Sequence, residues 1–199
     1  MKKSIFVGVA LGAFVFSFSG LKATEVLTEV KAAYFHPEST KFRDIYGSAG
    51  MYGAEVSVQT WCNWYTWVSG DFFIKSGHSL GLRDDTNIYF IPIGLGFKYF
   101  FPFCDWDFYL GGGALGTYVH IHDHSPFVVP VSTNWGWGAI GKAGAMWTFH
   151  SFFLDLFTSY SYTHVGFHEH NGREITRHDA NLGGWAIGGG IGYRFGCRD

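Results

Sequence analysis

Near its end the chain reads Trp185-Ala186-Ile187-Gly188-Gly189-Gly190-Ile191-Gly192-Tyr193-Arg194-Phe195. Most alternate residues, beginning with Trp185, are large and apolar, whereas the residues between them are mostly glycine, and this is the period-2 pattern of a β-strand. The apolar face has aromatic rings at both ends and isoleucines between them. Rings favour the two interfaces of a bilayer and aliphatic side chains favour its interior. The stretch also has the roughly 9–11 residues that a tilted strand needs to cross a membrane, so it predicts a membrane-spanning strand.

The same strand resembles the assembly signal at the end of bacterial outer-membrane β-barrel proteins. The residues that carry the resemblance are Ile191, Tyr193 and Phe195, an alternating set that ends in Phe. In that family Phe is usually the last residue, whereas Gly196-Cys197-Arg198-Asp199 follows here. The resemblance implies recognition by the barrel assembly machinery and contact with outer-membrane lipid. The alternatives are an edge strand of a soluble β-sandwich and a soluble periplasmic barrel.

The composition agrees with a membrane barrel. Aromatic residues make up 20% of the 199 residues and charged residues 15%, whereas an average domain has about 25% charged residues. There are 28 Gly and 5 Pro, which favours curved strands over disorder. The net charge of −2 gives no electrostatic footprint for nucleic acid. The length fits one domain.

The N-terminus has the order of a secretory signal peptide. Lys2 and Lys3 precede a short apolar segment, residues 5–16, and a small, polar segment ends at Ala23. We expect cleavage after Ala23, so that residues 1–23 are the signal peptide and residues 24–199 the barrel domain; a retained helical anchor is the alternative. No later apolar run is long enough for a helical span. A membrane-embedded mature chain must then be a closed barrel, because lipid offers no partner to unpaired backbone groups.

Alternation along the chain predicts eight strands. Their approximate ranges are 26–36, 50–59, 64–75, 87–101, 106–121, 134–149, 152–167 and 185–195. Polar loops are predicted at 37–48, 76–86, 123–133 and 168–177, and these long connections alternate with short ones, as external loops alternate with periplasmic turns in outer-membrane barrels. The predicted fold is an all-β, eight-stranded antiparallel up-and-down transmembrane β-barrel. It resembles the superfamily that includes the OmpA transmembrane domain, OmpX, OmpW and the opacity-type proteins.

Charged residues fall on the face of each strand opposite to the lipid. The predicted inward charges are Glu29, Lys31, Glu55, Asp71, Lys75, Lys98, Lys142, Asp155 and Arg194. An eight-stranded barrel is just wide enough for side chains to fill it, and buried charges must be paired or hydrogen-bonded. We therefore expect an interior ion-pair network. A gated narrow ion path through rearranging pairs and a catalytic use of these groups are the alternatives.

Histidines cluster at the predicted external rim. The candidate metal ligands are His120, His122, His124, His168 and His170. Imidazole is a common zinc ligand and also changes charge near neutral pH. A metal site, a pH sensor and simply solvated loop side chains are the three interpretations.

The three cysteines, Cys62, Cys104 and Cys197, all fall at the predicted periplasmic end. That compartment is oxidising, so disulfides can form there. Because the number is odd, at least one thiol stays free or pairs with another chain. One internal bridge, no bridge, and a disulfide to another envelope protein are the alternatives.

The sequence predicts a non-enzymatic surface protein whose external loops serve envelope structure or interaction with a host or surface ligand. No cofactor is expected. A narrow pore for small solutes is the first alternative. A lipid A-modifying enzyme is the second; it requires a Ser/His/acid set near the external lipid face, and no motif of those enzymes is recognised.

Overall fold

The computed structural model describes residues 25–78, 85–123, 131–171 and 174–196. The strands are β1 (Glu25–Pro37), β2 (Ala49–Trp61), β3 (Trp64–His78), β4 (Asp85–Phe103), β5 (Trp106–Asp123), β6 (Val131–Phe149), β7 (Phe152–Asn171), β8 (Glu174–Asn181) and β9 (Gly184–Gly196). A single helix in these ranges, α1 (Thr40–Tyr46), connects β1 to β2.

The strands close into a barrel. Neighbours in sequence pair antiparallel from β1 to β7, and β9 pairs with both β7 and β1. The short β8 pairs with the outer part of β7 alone and extends the wall beyond β9. The predicted eight-stranded antiparallel barrel is therefore confirmed. No helix of the described ranges is long and apolar enough to span a membrane.

Outward-facing residues form an apolar band between two aromatic girdles. The girdle at the end that carries α1 consists of Tyr34, Tyr52, Phe72, Tyr89, Tyr118, Trp137, Tyr162 and Trp185. The girdle at the opposite end consists of Trp64, Tyr99, Phe101, Trp106, Trp147, Phe149, Phe152, Tyr193 and Phe195. Aliphatic side chains such as Val68, Leu95 and Ile187 are exposed between them. This is the lipid-facing pattern of a membrane barrel.

Two predicted loops are wrong in part. Residues 37–48 contain α1, which begins after Ser39, whose side chain accepts a hydrogen bond from the Phe42 amide. The helix ends at Gly47, which has φ 67° and donates to the Arg43 carbonyl. Phe42, Ile45 and Tyr46 are spaced to share one face, and Phe42 and Tyr46 are buried in the barrel mouth.

Residues 168–177 are the second such loop. They belong mostly to β7 and β8, where His168 faces Arg177 across an antiparallel pair. A hairpin outside the membrane needs no apolar face. The β7–β8 hairpin is therefore polar on both faces and shows no alternation that predicts a strand.

The end opposite α1 has three two-residue turns that connect β2 to β3, β4 to β5 and β6 to β7. Each turn has a non-glycine residue with positive φ at its first position: Cys62 (45°), Cys104 (54°) and His150 (56°). The opposite end has the long connections. The alternation of short and long connections fits periplasmic turns and external loops.

Candidate functional site: the charged belt inside the barrel

The centre of the barrel interior is a single carboxylate that contacts three lysines. Glu55, on β2, lies 2.6 Å from the Lys142 ammonium, 2.8 Å from that of Lys98 and 3.5 Å from that of Lys31. All four side chains are buried. The lysines come from β6, β4 and β1, so one acidic group connects strands on different sides of the barrel.

The lysines have further partners. Lys31 also lies 3.1 Å from Asp71 on β3. The Lys142 ammonium lies 3.8 Å from the centre of the Trp67 ring, and the Lys98 ammonium lies 5.0 Å from that of Tyr109. Contacts of this kind stabilise a cation through the negative face of the ring. Aromatic rings thus supply part of the solvation that the lysines lose on burial.

Two more carboxylates complete the set. The Tyr109 hydroxyl donates a 2.7 Å hydrogen bond to Asp155. Glu29 lies over Gly190, where a Cβ atom would come within 1.9 Å of Glu29 Oε1. One oxygen of Glu29 and one of Asp155 are buried with no hydrogen-bond partner among the described residues. We call these residues the charged belt: Glu29, Lys31, Glu55, Asp71, Lys98, Lys142 and Asp155.

A second ion-pair cluster lies towards the turn end. Arg194 on β9 lies 2.8 Å from Glu25 and 3.2 Å from Asp107, and it also donates to the Thr148 hydroxyl at 3.1 Å. The Tyr65 hydroxyl donates to the other Glu25 oxygen at 2.6 Å. Arg194 is therefore separate from the belt with which the sequence grouped it.

Sequence reasoning missed both acidic partners of Arg194. The predicted first strand begins at residue 26, which excludes Glu25. In the predicted fifth strand, Gly111–Gly113 leave little contrast between the two faces, so Asp107 is not assigned to the interior. Trp106, Phe108 and Leu110 alternate as apolar residues before the glycines, and that alternation places Asp107 and Tyr109 inward.

An apolar cluster closes the interior towards the other end. Phe35 packs against Phe73 and Phe90 with ring centres 5.8 and 6.0 Å apart, and Phe42 of α1 lies 6.2 Å from Phe73. We call Phe35, Phe42, Tyr46, Phe73 and Phe90 the mouth cluster. A cavity of about 20 Å³ separates it from Lys31 and Asp71, and a space of that size holds about one water. The charged belt, the Arg194 cluster and the mouth cluster thus occupy successive levels of the described interior.

The histidines named from the sequence are not brought together in the described ranges. The His120 ring lies 2.9 Å from the Thr133 hydroxyl and is parallel to the Tyr118 ring. The backbones of His122, His168 and His170 are in strands, where His122 faces Asn87 and Val131, His168 faces Arg177, and His170 faces Ile175. His124 lies outside the described residues. No group of three or more metal-binding side chains occurs in the part of the chain that the structure describes.

The cysteines and the C-terminal strand lie at the surface. Cys62 and Cys104 are exposed free thiols, and Cys197 lies outside the described residues, as does the predicted signal peptide, residues 1–23. Ile191, Tyr193 and Phe195 all face outward. The Tyr193 ring lies 4.6 Å from that of Phe195 and 5.2 Å from that of Phe152, so the three rings form one patch of the turn-end girdle.

The outer wall has a shallow groove of about 700 Å³ over the seam between β1, β9 and β7. Val30, Ala32, Leu156, Gly189 and Ile191 are among the residues that line it, and side chains of β2, β3, β5 and β6 complete the lining. Its position in the apolar band suits lipid acyl chains.

Comparison with solved structures shows the fold of small outer-membrane β-barrel proteins. The chain is similar to the outer membrane protein OprG from Pseudomonas aeruginosa (18% identity, 89% of this chain, 99% of that chain, TM-score 0.65). It is also similar to E. coli outer membrane protein W, with 15% identity over 87% of this chain and 98% of that chain and a TM-score of 0.57. A third similar structure is that of Ail, the attachment invasion locus protein of Yersinia pestis, in complex with the heparin analogue sucrose octasulfate. The identity is 15% over 86% of this chain and 98% of that chain, and the TM-score is 0.55.

No protein-family model matches the sequence. No curated protein matches it either. At these identities the likeness to solved structures concerns the fold.

Proposed function

We propose that the protein is an integral barrel of the bacterial outer membrane with a non-enzymatic role, in which the barrel holds external segments at the cell surface. Those segments serve envelope structure or interaction with a surface ligand. The observation that carries the proposal is the apolar band between two aromatic girdles, because a surface of this kind is stable in a bilayer and not in water. Outer-membrane lipid is then the first partner.

The filled interior supports a role as an anchor. Within the charged belt, and within the Arg194 cluster, most charged groups pair with other members of the same cluster. The mouth cluster lies between the belt and the α1 end. A substrate would have to displace both the mouth cluster and the ion pairs to react inside the barrel. The segments left for interaction are those at the α1 end, which include α1 and the β7–β8 hairpin. Ail, with the same fold, was solved with a heparin analogue, which supports surface-ligand binding by barrels of this kind.

The experiment that tests the proposal is fractionation of a Gram-negative host that expresses the full chain. We expect the protein in the outer membrane, and we expect the unboiled band to migrate differently from the boiled band on a gel, as closed barrels do. An epitope inserted between Asn171 and Glu174 should be labelled in intact cells. The matched insertion between Cys104 and Asp105 should be labelled only after the cells are permeabilised.

Two further measurements separate the proposal from its rivals. In planar bilayers the purified barrel should give no steady conductance, because its interior is filled; a steady conductance would replace the anchor with a pore. The mass of lipid A should not change on expression, and a change would indicate an enzyme. A soluble periplasmic protein with no heat-dependent migration would contradict the membrane barrel itself.

A further inference from the structure

Two neighbouring turns of the barrel present the same short motif. Trp61-Cys62-Asn63-Trp64 connects β2 to β3, and Phe103-Cys104-Asp105-Trp106 connects β4 to β5. In both turns the cysteine is at the first position and has a positive φ, which L side chains rarely adopt. Glycine and asparagine are the residues that favour such positions. Cysteine occupies this position twice although it has no conformational advantage there.

Both thiols are accessible at the surface of the turn end. Both cysteines are exposed and neither is in a disulfide, whereas cysteine is among the residues most often buried in proteins. A packing role does not account for them, since the side chains project from the ends of hairpins.

The two thiols cannot pair with each other without movement of the backbone. Asn63, next to Cys62, accepts a 3.0 Å hydrogen bond from the Phe100 amide of β4. Cys104 lies beyond Phe103, and the three residues from Phe100 to Phe103 alone span about 10 Å at the rise of an extended strand. A disulfide requires Cα atoms within about 7 Å. A disulfide of either thiol therefore requires a cysteine other than these two of the same chain.

The surrounding rings fix the depth of the thiols in the membrane. Trp61 and Phe103, immediately before the two cysteines, are 74% and 68% exposed, and Trp64 and Trp106 follow in the turn-end girdle. Aromatic rings of this kind lie at the headgroup level. The thiols thus lie at one bilayer surface, where a second inserted copy presents its own thiols at the same depth and in the same orientation.

We propose that Cys62 and Cys104 join two copies of this chain through disulfide bonds at the turn end of the barrel. About a two-fold axis along the membrane normal, Cys62 of each copy meets Cys104 of its partner, which is the reciprocal contact of an isologous dimer. Cys62 and Cys104 of one chain are too far apart to bond to each other, and the same separation allows the two intermolecular disulfides to form side by side. The proposal rests on the membrane insertion proposed above.

The chemistry needs an oxidant, which is a protein disulfide of the periplasmic oxidoreductase class. One cysteine loses its proton, and the thiolate attacks the oxidant's disulfide, forming a mixed disulfide and releasing one oxidant thiolate. The thiolate of the second copy then attacks the mixed disulfide. The chain-to-chain bond forms, the oxidant leaves as a dithiol, and it has gained the two electrons that the two cysteines have lost.

The test is co-expression of the full chain with two different epitope tags. Membranes are treated with N-ethylmaleimide to block free thiols and run on a non-reducing gel. We expect a product of about twice the monomer mass that contains both tags and that disappears with reductant and in the Cys62→Ser/Cys104→Ser double variant. The matched control Cys197→Ser should retain it.

Three results would overturn the proposal. These are a monomer whose Cys62 and Cys104 both react with maleimide in untreated membranes, a product that contains one tag and another protein, and a dimer lost in Cys197→Ser alone. Heat-dependent migration of the reduced sample is read on the same gel. It shows whether each variant folds, and its absence would count against the membrane barrel and not against the disulfide alone.

Discussion

At the scale of single residues, the stability of the interior depends on Glu55. One buried carboxylate is shared by Lys31, Lys98 and Lys142, so its charge offsets part of the desolvation free energy that three buried cations cost. Removing one partner of a buried ion pair is more destabilising than the pair is stabilising, because the remaining charge is left uncompensated.

Glu55→Gln should therefore weaken the barrel. We expect the free energy of unfolding to fall by about 3–5 kcal/mol, the range found when a buried pair is broken. The measurement is urea unfolding of the purified barrel in detergent, with the folded fraction at each urea concentration read from heat-dependent migration on a gel. Asp44→Asn, at an exposed site on α1, is the control and should leave the curve almost unchanged. If the two variants unfold alike, Glu55 does not organise the interior.

Gly138 and Gly141, on the same strand, test how tightly the wall is packed. A Cβ at Gly138 would lie 1.8 Å from the Tyr162 carbonyl oxygen, whereas nothing lies within 4 Å of a Cβ at Gly141. Backbone cannot move aside as a side chain can, so Gly138→Ala should lower the free energy of unfolding by about 1–3 kcal/mol. Gly141→Ala should be neutral or raise it by about 0.4–1 kcal/mol. Equal effects in urea unfolding would show that the contact at Gly138 is easily relieved.

At the scale of elements, alternation predicts the strands that cross the apolar band and fails outside it. The alternation predicts the last strand at 185–195, and the strand is β9, Gly184–Gly196, because lipid on one side and packed side chains on the other impose strict alternation. β8 lies beyond that constraint, so its sequence carries no such pattern. In α1, the helical spacing of Phe42, Ile45 and Tyr46 is present but spans only seven residues.

The interior site was predictable only as a set of inward positions. Parity along a strand assigns Glu55 and Lys142 to the lumen, but it does not say which strands face each other across it. The separation of Arg194 from the belt follows from its level on β9, next to Glu25 on β1. Pairing at this level depends on the register between strands, and no local pattern encodes that register.

β9 also permits a test of the assembly signal. Phe195→Ala should reduce the amount of barrel assembled in cells, because the resemblance implies that the machinery reads Ile191, Tyr193 and Phe195. The same variant should refold in detergent almost as the wild type does, since Phe195 faces outward and lines no part of the interior. Phe149→Ala, also an outward ring of the turn-end girdle, is the matched control for assembly. An equal loss of assembly in both variants would contradict a specific signal.

At the scale of the whole molecule, the two girdles fix the depth of every side chain in the bilayer. Single-tryptophan variants in lipid vesicles should report it. Trp137, 73% exposed in the α1-end girdle, should be quenched most by a label near the headgroups, and Trp67, fully buried inside, only weakly by any lipid label. Fluorescence with phosphatidylcholines labelled at several depths is the measurement. Quenching of Trp137 by aqueous iodide instead of by lipid would contradict the assigned depth.

The three lysines around Glu55 come from β1, β4 and β6, which are far apart in the chain. A hairpin of β1 and β2 that entered the hydrocarbon alone would carry Glu29, Lys31 and Glu55 against lipid tails, with Lys98 and Lys142 still absent. Lys31 and Glu55 pair with each other in that hairpin, which leaves Glu29 without a cation of its own. An uncompensated charge in hydrocarbon is costly. We therefore expect the hairpin to enter the bilayer together with the strands that carry Lys98 and Lys142, so that translocation is coupled to closure of the β1–β9 seam.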